Sequence, residues 1–333
     1  MNPADSLSRR DFLKNTARSA AAGTLLELNA SGALAGEKRR PSRISYFRNG
    51  EIHVGLPGAP EGKPLTTGHM DFKPSWSCTG DLLVCFRRLV DDPVTEKWKT
   101  AIFIMAADGS GFHTLSDGTH TDFNPTWTRD GTNTPLWNRR NHATGGYTVM
   151  RGRIGGRPGE EIALTDARFH TWAHSCLSGG RILVNAVHPQ HGSGVFLLSA
   201  GKDGVPRYER VECELTARGQ LHRASISPGE RRICFEFLPG RQFTEPGHTL
   251  YHADFDAQRR TITNLKPFAN HPAKPQWFAY PRWIDGEDAI VFHSGESGKN
   301  QLYVHRPAEG TTARVSLDAH ADYRYPHGEA APC

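Results

Sequence analysis

The sequence has no long apolar run, little net charge and no closely spaced cysteine pair, and each absence excludes a class of protein. No segment approaches the about 20 apolar residues of a membrane-spanning helix, so we expect no integral membrane segment after the N-terminal region. The 40 basic and 35 acidic residues leave a formal charge of only +5. Because neither a basic excess nor a zinc-finger motif is present, we expect no nucleic-acid partner.

The six cysteines also lack the C-x-x-C spacing of zinc and thiol-redox sites. In an oxidising compartment they could form disulfides. Most are better explained as small buried residues, because Cys85 and Cys234 lie inside apolar, strand-like segments. The G-x-S-x-G motif of serine hydrolases is absent as well.

The first 35 residues are predicted to be an export signal. Residues 8–14 read SRRDFLK, a twin-arginine pattern, and a short apolar stretch and an A-L-A cleavage site at 33–35 follow in the expected order. We therefore expect export of a folded protein to the periplasm or the extracellular space, with residues 36–333 as one domain. The alternative is a basic amphipathic N-terminus of a cytoplasmic protein.

A repeat of about 50 residues organises the rest of the chain. Residues 69–80 read HMDFKPSWSCTG and residues 120–131 read HTDFNPTWTRDG, 51 residues further on. They share the skeleton H-x-D-F-x-P-[ST]-W-[ST]-x-x-G. Weaker copies begin at residues 170, 222, 280 and 320. Such self-similarity is the signature of repeat architectures.

Short apolar strands follow each copy, separated by D-G and G-x-G turns. About four strands per repeat, with no helical periodicity, predict an all-β fold with propeller blades. We predict six blades, with seven as an alternative. The last copy has no strands after it, and the first strands near residues 43–54 have no copy before them. We therefore predict that the N- and C-terminal strands pair and close the ring.

These motifs resemble the TolB-like β-propeller family, whose blades carry the signature D-x-x-P-x-W-S-x-D-G. The copies that contain Asp71 and Asp122 match it closely, and the resemblance extends over residues 36–333. It implies a six-bladed propeller but no particular activity, because propellers have many unrelated functions.

Histidine begins the innermost strand in most copies, at the level where a propeller channel opens. If these side chains converge, His69, His120, His222 and His320 could bind a divalent metal ion such as Mn or Ca. His174 or His222 could act as a general base. The alternative is that each histidine only hydrogen-bonds the turn of the neighbouring blade. A further pair, His188 and His191, lies in a loop of the third repeat.

Arginines form a second group of candidates. Arg139 follows the second strand of its repeat, and Arg282 and Arg324 lie near the starts of predicted inner strands. All three could hold a carboxylate through bidentate hydrogen bonds. The alternative is that they are ordinary surface residues.

A basic, histidine-lined channel on an exported propeller resembles the oligogalacturonate lyases. That resemblance implies β-elimination from an acidic oligosaccharide, with His174 or His222 as base and Tyr280 as acid. Gln276 matches the metal-binding blade of that family, but Phe278 and Tyr280 stand where the family has histidines. The competing hypotheses are a non-catalytic propeller that binds another envelope protein, and one that receives a cofactor before export.

Overall fold

The computed structural model of the chain describes residues 43–57, 62–92, 97–201, 204–240, 247–270 and 278–328. The predicted export signal at residues 1–35 lies outside them, as does Gln276. No helix in these ranges is long and apolar enough to cross a membrane. They contain only three short 3-10 helices, at Ala167–Phe169, Glu214–Ala217 and Asp285–Glu287.

Twenty-four strands in the described ranges form six antiparallel sheets of four strands each. In chain order they are β1 (Ile44–Arg48), β2 (Glu51–Gly55), β3 (Lys63–Pro64), β4 (Met70–Trp76), β5 (Leu82–Asp92), β6 (Lys97–Ala106), β7 (His113–Thr114), β8 (Thr121–Trp127), β9 (Pro135–Arg140), β10 (Tyr147–Arg151), β11 (Ile162–Ala163), β12 (Trp172–Cys176), β13 (Ile182–His188), β14 (Gly192–Ala200), β15 (Pro206–Arg210), β16 (Gln220–Ile226), β17 (Arg232–Leu238), β18 (Thr249–Asp256), β19 (Thr261–Asn270), β20 (Phe278–Ile284), β21 (Ala289–Ser294), β22 (Gln301–Arg306), β23 (Thr311–Arg314) and β24 (Tyr323–Gly328).

The sheets are the blades of a propeller, which confirms the predicted all-β fold with six blades rather than seven. Blades 1 to 5 are β4–β7, β8–β11, β12–β15, β16–β19 and β20–β23. Each of the strands β4, β8, β12, β16, β20 and β24 contacts the next one in this order, and β24 contacts β4. These six inner strands therefore surround one axis.

The sixth blade joins the two ends of the described chain, as predicted. Its strand order is β24-β1-β2-β3, so the inner strand comes from the C-terminal part and the other three from the N-terminal part. The antiparallel pairing runs from Ile44 opposite Gly328 to Arg48 opposite Tyr323. This closure gives the sixth blade the same four strands as each of the other five described blades.

The tryptophan of the repeat joins adjacent blades. The indole N–H of Trp127 donates to the Ser75 carbonyl oxygen at 2.8 Å, and that of Trp283 donates to the Ser225 carbonyl oxygen at 3.1 Å. Both rings are buried. The large apolar surface of each ring and its satisfied N–H explain why the motif repeats at this position.

Four cysteines, Cys85, Cys176, Cys213 and Cys234, are buried and free, as expected for small core residues. Cys78 is disulfide-bonded. The expectation of small buried thiols therefore holds for these four cysteines, and the expectation of a disulfide holds for Cys78.

The aspartate of the repeat forms an ion pair with the second strand of its own blade. Asp71 accepts hydrogen bonds from Nε and Nη2 of Arg87 at 2.7 and 2.9 Å, and Asp122 accepts the same pair from Arg139 at 2.7 and 2.8 Å. Both aspartates are fully buried. A buried carboxylate needs such a bidentate partner, because an unpaired buried charge is costly.

We expect Asp71→Asn to destabilise the protein by about 3 kcal/mol, because it leaves the partly buried Arg87 guanidinium without its carboxylate. Urea denaturation followed by circular dichroism measures the change. The matched control is Glu209→Gln, which removes the carboxylate of the exposed Arg260–Glu209 pair and should change stability by less than about 1 kcal/mol. Equal effects of the two substitutions would contradict the structural role of the motif aspartate.

Candidate functional site at the propeller axis

Every inner strand contains a β-bulge that turns one side chain towards the axis. The register shifts after Phe72, Phe123, Ala173, His222 and Ala279, and likewise in the pairing of β24 with β1. The first residues of the six bulges form a set that we call the inner ring: Lys73, Asn124, His174, Arg223, Tyr280 and Tyr325. Bulges are typical of places where a sheet re-aims a side chain near an active site.

The backbone of the inner ring is strained. Lys73, Asn124, Arg223, Tyr280 and Tyr325 have φ between 51° and 57°. This left-handed region costs a non-glycine residue roughly 1–3 kcal/mol. Among these residues asparagine adopts this conformation most readily, whereas lysine, arginine and tyrosine adopt it rarely. Repeated strain of this kind is characteristic of functional sites.

The side chains of the inner ring contact one another across the axis. The Lys73 ammonium donates a hydrogen bond to Asn124 Oδ1 and lies 4.8 Å from the centre of the Tyr280 ring. The Arg223 guanidinium lies 4.5 Å from that ring, and Tyr325 meets it edge-on at 4.7 Å. The Lys73 amine and the Arg223 guanidinium therefore both contact one aromatic ring at the centre of the propeller.

Lys73 has an unusual electrostatic environment. It is only 9% exposed, and burial together with the nearby Arg282 and Arg223 charges holds its pKa well below the usual value. No carboxylate is among the groups that act on this pKa. A lysine desolvated beside other cations is a recurrent functional arrangement.

Arg223 is the cation of the ring that has a carboxylate. Its Nη1 donates to Glu236 Oε2 at 2.5 Å, and the other oxygen, Oε1, lies 3.0 Å from His248 Nδ1. Burial opposes ionisation of Glu236, but Arg223 and then His248 hold the pKa of this carboxyl below its usual value. Glu236 therefore stays ionised and neutralises Arg223.

A cleft between blades 3 and 4 opens next to this ring. Its volume is about 390 Å³, and Tyr147, Trp172, Asn185, Gln220 and His222 are among its lining residues. Of the described residues that line it, none is acidic, whereas His170 and Arg218 add basic groups. An aromatic surface with a few placed polar groups is typical of small-ligand sites. We call this space the blade 3–4 cleft.

Two buried histidines lie where this cleft meets the axis. The rings of His174 and His222 are 6.1 Å apart, and that of His222 meets Trp172 edge-on at 6.2 Å. His222 Nε2 lies 2.9 Å from Gln220 Oε1. With that oxygen as acceptor, Nε2 carries the proton and Nδ1 keeps the lone pair. His174 Nε2 has no hydrogen-bond partner among the described residues.

Burial keeps these histidines neutral. Burial, and then the Arg223 charge, lowers the pKa of His222 to about 4. Burial, and then His222, lowers the pKa of His174 well below its usual value. Around neutral pH both imidazoles are therefore uncharged and able to accept a proton.

The three predicted catalytic residues lie in the same region, but Tyr280 has no described contact with His174 or His222. His174 and His222 are neighbours, and Tyr280 is on the next inner strand, linked to His222 through the adjacent Arg223. The Tyr280 ring also stacks on His293 at 5.6 Å. Their catalytic roles stay predictions.

The three predicted carboxylate-binding arginines lie in different environments. Arg139 is held by Asp122 and by Glu161, whose Oε1 accepts from Nη2 at 2.8 Å, so its guanidinium is committed to its own blade. Arg324 pairs with Asp322 at 2.8 Å and is partly exposed. Arg282 is buried on the axis.

The four predicted metal ligands are not grouped. His69, His120 and His320 are exposed at the starts of inner strands, whereas His222 is buried. Over the described ranges, no three histidine, cysteine, aspartate or glutamate side chains are placed to hold a metal ion. The Mn or Ca ion stays a prediction from the sequence, without a ligand set at these positions.

Sequence reasoning missed three of the six residues of the inner ring. Lys73, Asn124 and Tyr325 stand at the unspecified position before proline in the repeat, and Tyr280 shares this position. A variable residue inside an otherwise constant motif is the signal that was available. Glu236 and His293 lie on second strands and had no such signal.

We expect the stability of the protein to fall as the pH drops below about 6.5. The pKa of His222 is about 4 when folded and near 6.5 when unfolded. The unfolded chain therefore binds the proton first, and the stabilisation present above pH 6.5 is lost as the pH falls towards 4. Melting temperatures at intervals from pH 7.5 to 5, a range above most carboxyl titration, measure the effect.

His222→Gln should make this pH profile less steep, because glutamine does not titrate, while His174 and His327 keep their own contributions. The control is His320→Gln at an exposed position, which should leave the profile unchanged. Parallel profiles for wild type and His222→Gln would show that the burial of this imidazole does not affect stability.

Similarity to known proteins was found in structure and not in sequence. No family model and no curated protein matches the chain. TolB from Acinetobacter baumannii is 11% identical, with a TM-score of 0.66 over 87% of this chain and 67% of that one. A structure assigned as TolB from Agrobacterium tumefaciens is 13% identical, with a TM-score of 0.54 over 83% and 88%.

Hydrazine synthase from Kuenenia stuttgartiensis also shares the fold, at 13% identity and a TM-score of 0.64 over 88% of this chain and 47% of that one. At such low identities the similarity concerns the fold alone. It supports the architecture that the repeat predicted: the chain folds as a TolB-like β-propeller.

Proposed function

We propose that this protein binds an acidic oligosaccharide in the blade 3–4 cleft, with a sugar ring against Trp172 and its carboxylate directed towards the basic axis. The observation that carries this proposal is the cleft itself: it is aromatic, has no acidic residue among its described lining, and ends at a buried neutral histidine.

The size and chemistry of the cleft support this class of ligand. About 390 Å³ lies within the range of small-molecule sites, and the amides of Asn185 and Gln220 can hydrogen-bond hydroxyl groups. The charged side chain of Arg218 favours an anion over a neutral sugar. The inner ring, which contains Arg223 and Lys73, lies beyond His222.

The reaction that fits these groups best is β-elimination. His222 Nδ1 would take the proton from the carbon next to the carboxylate. The electron pair of that C–H bond forms a carbon–carbon double bond, and the bond to the glycosidic oxygen breaks. That oxygen leaves with a proton, which Tyr280 is predicted to donate. A neutral histidine suits the first step, because an uncharged imidazole can act as the proton acceptor.

The export prediction completes the proposal. We infer that residues 1–35 direct the folded protein to the periplasm or the extracellular space, where acidic polysaccharides are accessible to it. The twin-arginine pattern supports this inference, and a ring closed by its two ends is suited to export in the folded state.

Titration calorimetry with a purified oligogalacturonate tests binding. We expect the methyl-esterified oligosaccharide, which lacks the charge, to bind at least about tenfold more weakly, a difference of about 1.4 kcal/mol. Trp172→Ala should weaken binding by a similar factor, whereas Trp98→Ala, at an exposed tryptophan of blade 1, should not.

Absorbance of the unsaturated product tests the reaction with the same oligosaccharides. His222→Gln should lose at least about 100-fold in rate, the usual contribution of a general base, and His320→Gln should lose nothing. Binding without product would leave a binding protein and reject β-elimination. If acidic oligosaccharides neither bind nor react, the proposal fails and the interaction with an envelope protein becomes the remaining prediction.

A further inference from the structure

A second cavity lies on the axis where the inner strands end. It has a volume of about 80 Å³. The residue directly after each of the six bulges lines it, so that all six blades contribute. These residues are Ser75, Thr126, Ser175, Ser225, Arg282 and His327. Four hydroxyl groups, one guanidinium and one imidazole therefore surround the axis at one level.

Arg282 is a buried arginine whose charge no described carboxylate balances. The residue is 7% exposed, and its Nη1 donates to the carbonyl oxygens of Arg223 and Pro281 at 2.7 and 2.8 Å. Burial lowers its pKa, and no carboxylate is among the groups that oppose this shift. This contrasts with Arg223, which has Glu236 as its partner.

A second guanidinium lines the same cavity. Nη1 and Nη2 of Arg129 donate to the carbonyl oxygens of Ser227 and Pro228 at 3.3 and 3.1 Å. Its Nε is buried and has no hydrogen-bond partner among the described residues. Neither arginine is paired with a carboxylate in the described part of the chain, although buried donors and charges are normally satisfied.

The imidazole of His327 does not supply further charge. Burial, and then the Arg282 charge, lowers its pKa to about 3, so the ring is neutral around pH 7. Its Nε2 lies 3.1 Å from Ser75 Oγ. The described lining residues include no aspartate or glutamate. The cavity is therefore polar, positively charged and rich in hydrogen-bond donors.

We propose that this axial cavity binds one small inorganic oxyanion, of the size and shape of sulfate or phosphate. Guanidinium groups bind such anions through paired N–H donors, and hydroxyl groups can donate to the remaining oxygens. About 80 Å³ exceeds the space of a single water molecule several times. The anion balances the Arg282 charge that the protein leaves uncompensated.

The oxyanion site is separate from the proposed saccharide site. The two cavities have no described lining residue in common, and the inner ring lies between them. Failure of oligosaccharide binding would therefore leave this inference intact, and the reverse also holds.

Titration calorimetry of the full protein with sodium sulfate and with sodium phosphate, at constant ionic strength against chloride, tests the inference. We expect saturable binding of one oxyanion per chain. Arg282→Gln and Arg129→Gln should each weaken it at least about tenfold, and Arg282→Lys should restore only part of the affinity, because lysine lacks the planar fork. Arg153→Gln, at an exposed arginine, should have no effect.

A more conservative substitution tests the site in case the arginine variants do not fold. Thr126→Val keeps the side-chain shape and should weaken binding by about tenfold, because it removes a hydroxyl group that donates to a charged oxygen. Circular dichroism confirms that each variant is folded. The inference is overturned if the wild type shows no saturable binding, or if Arg282→Gln and Arg129→Gln both bind the anions as tightly as wild type does.

Discussion

The pairing of β24 with β1 is the contact on which the rest of the structure depends, because it turns six separate blades into a ring. Only in a closed ring do the six inner strands face one axis, and only then do their bulges meet. The contact joins residues at opposite ends of the described chain, from Ile44 with Gly328 to Arg48 with Tyr323. Contacts of such sequence separation form only after much chain entropy has been lost. Closing the ring therefore has a large entropic cost, which the contacts of the closed propeller must offset.

The charge distribution inside the ring follows two patterns. In blades 1 and 2 the motif aspartates are buried against the arginines of the second strands, which makes these ion pairs part of the scaffold. Near the axis the balance is different, because Lys73 and Arg282 have no carboxylate partner among the described residues, while Glu236 serves Arg223. Burial resolves part of this excess by favouring the neutral forms of Lys73, His174 and His222. Arginine cannot lose its proton in this way, which leaves Arg282 as the group that needs an anion.

The two proposed sites use this excess differently. The blade 3–4 cleft combines a neutral histidine with an aromatic wall, an arrangement suited to a ligand with both a ring and a charge. The axial cavity combines two guanidiniums with hydroxyl groups in a much smaller space, which suits a compact anion. Both lie next to the strained inner ring. An inner ring that orients side chains for both sites accounts for the cost of its backbone strain.

The sequence by itself determined the fold, since the 51-residue repeat, the tryptophans and the incomplete repeats at the two ends required a closed propeller of about six blades. It also indicated the axis as the functional region, because histidines such as His222 and His174 begin or lie in the inner strands. What it could not decide was the direction of each side chain. Arg139 and Arg282 were both candidates for binding a carboxylate, yet Arg139 is neutralised by Asp122, whereas Arg282 is buried without a described carboxylate. Lys73 stands at the variable position of the motif, so the repeat gave no reason to choose it. Only the tertiary structure decided these points, because a bulge reverses which face a residue occupies, and because burial and neighbouring charge are set by strands that are distant in sequence.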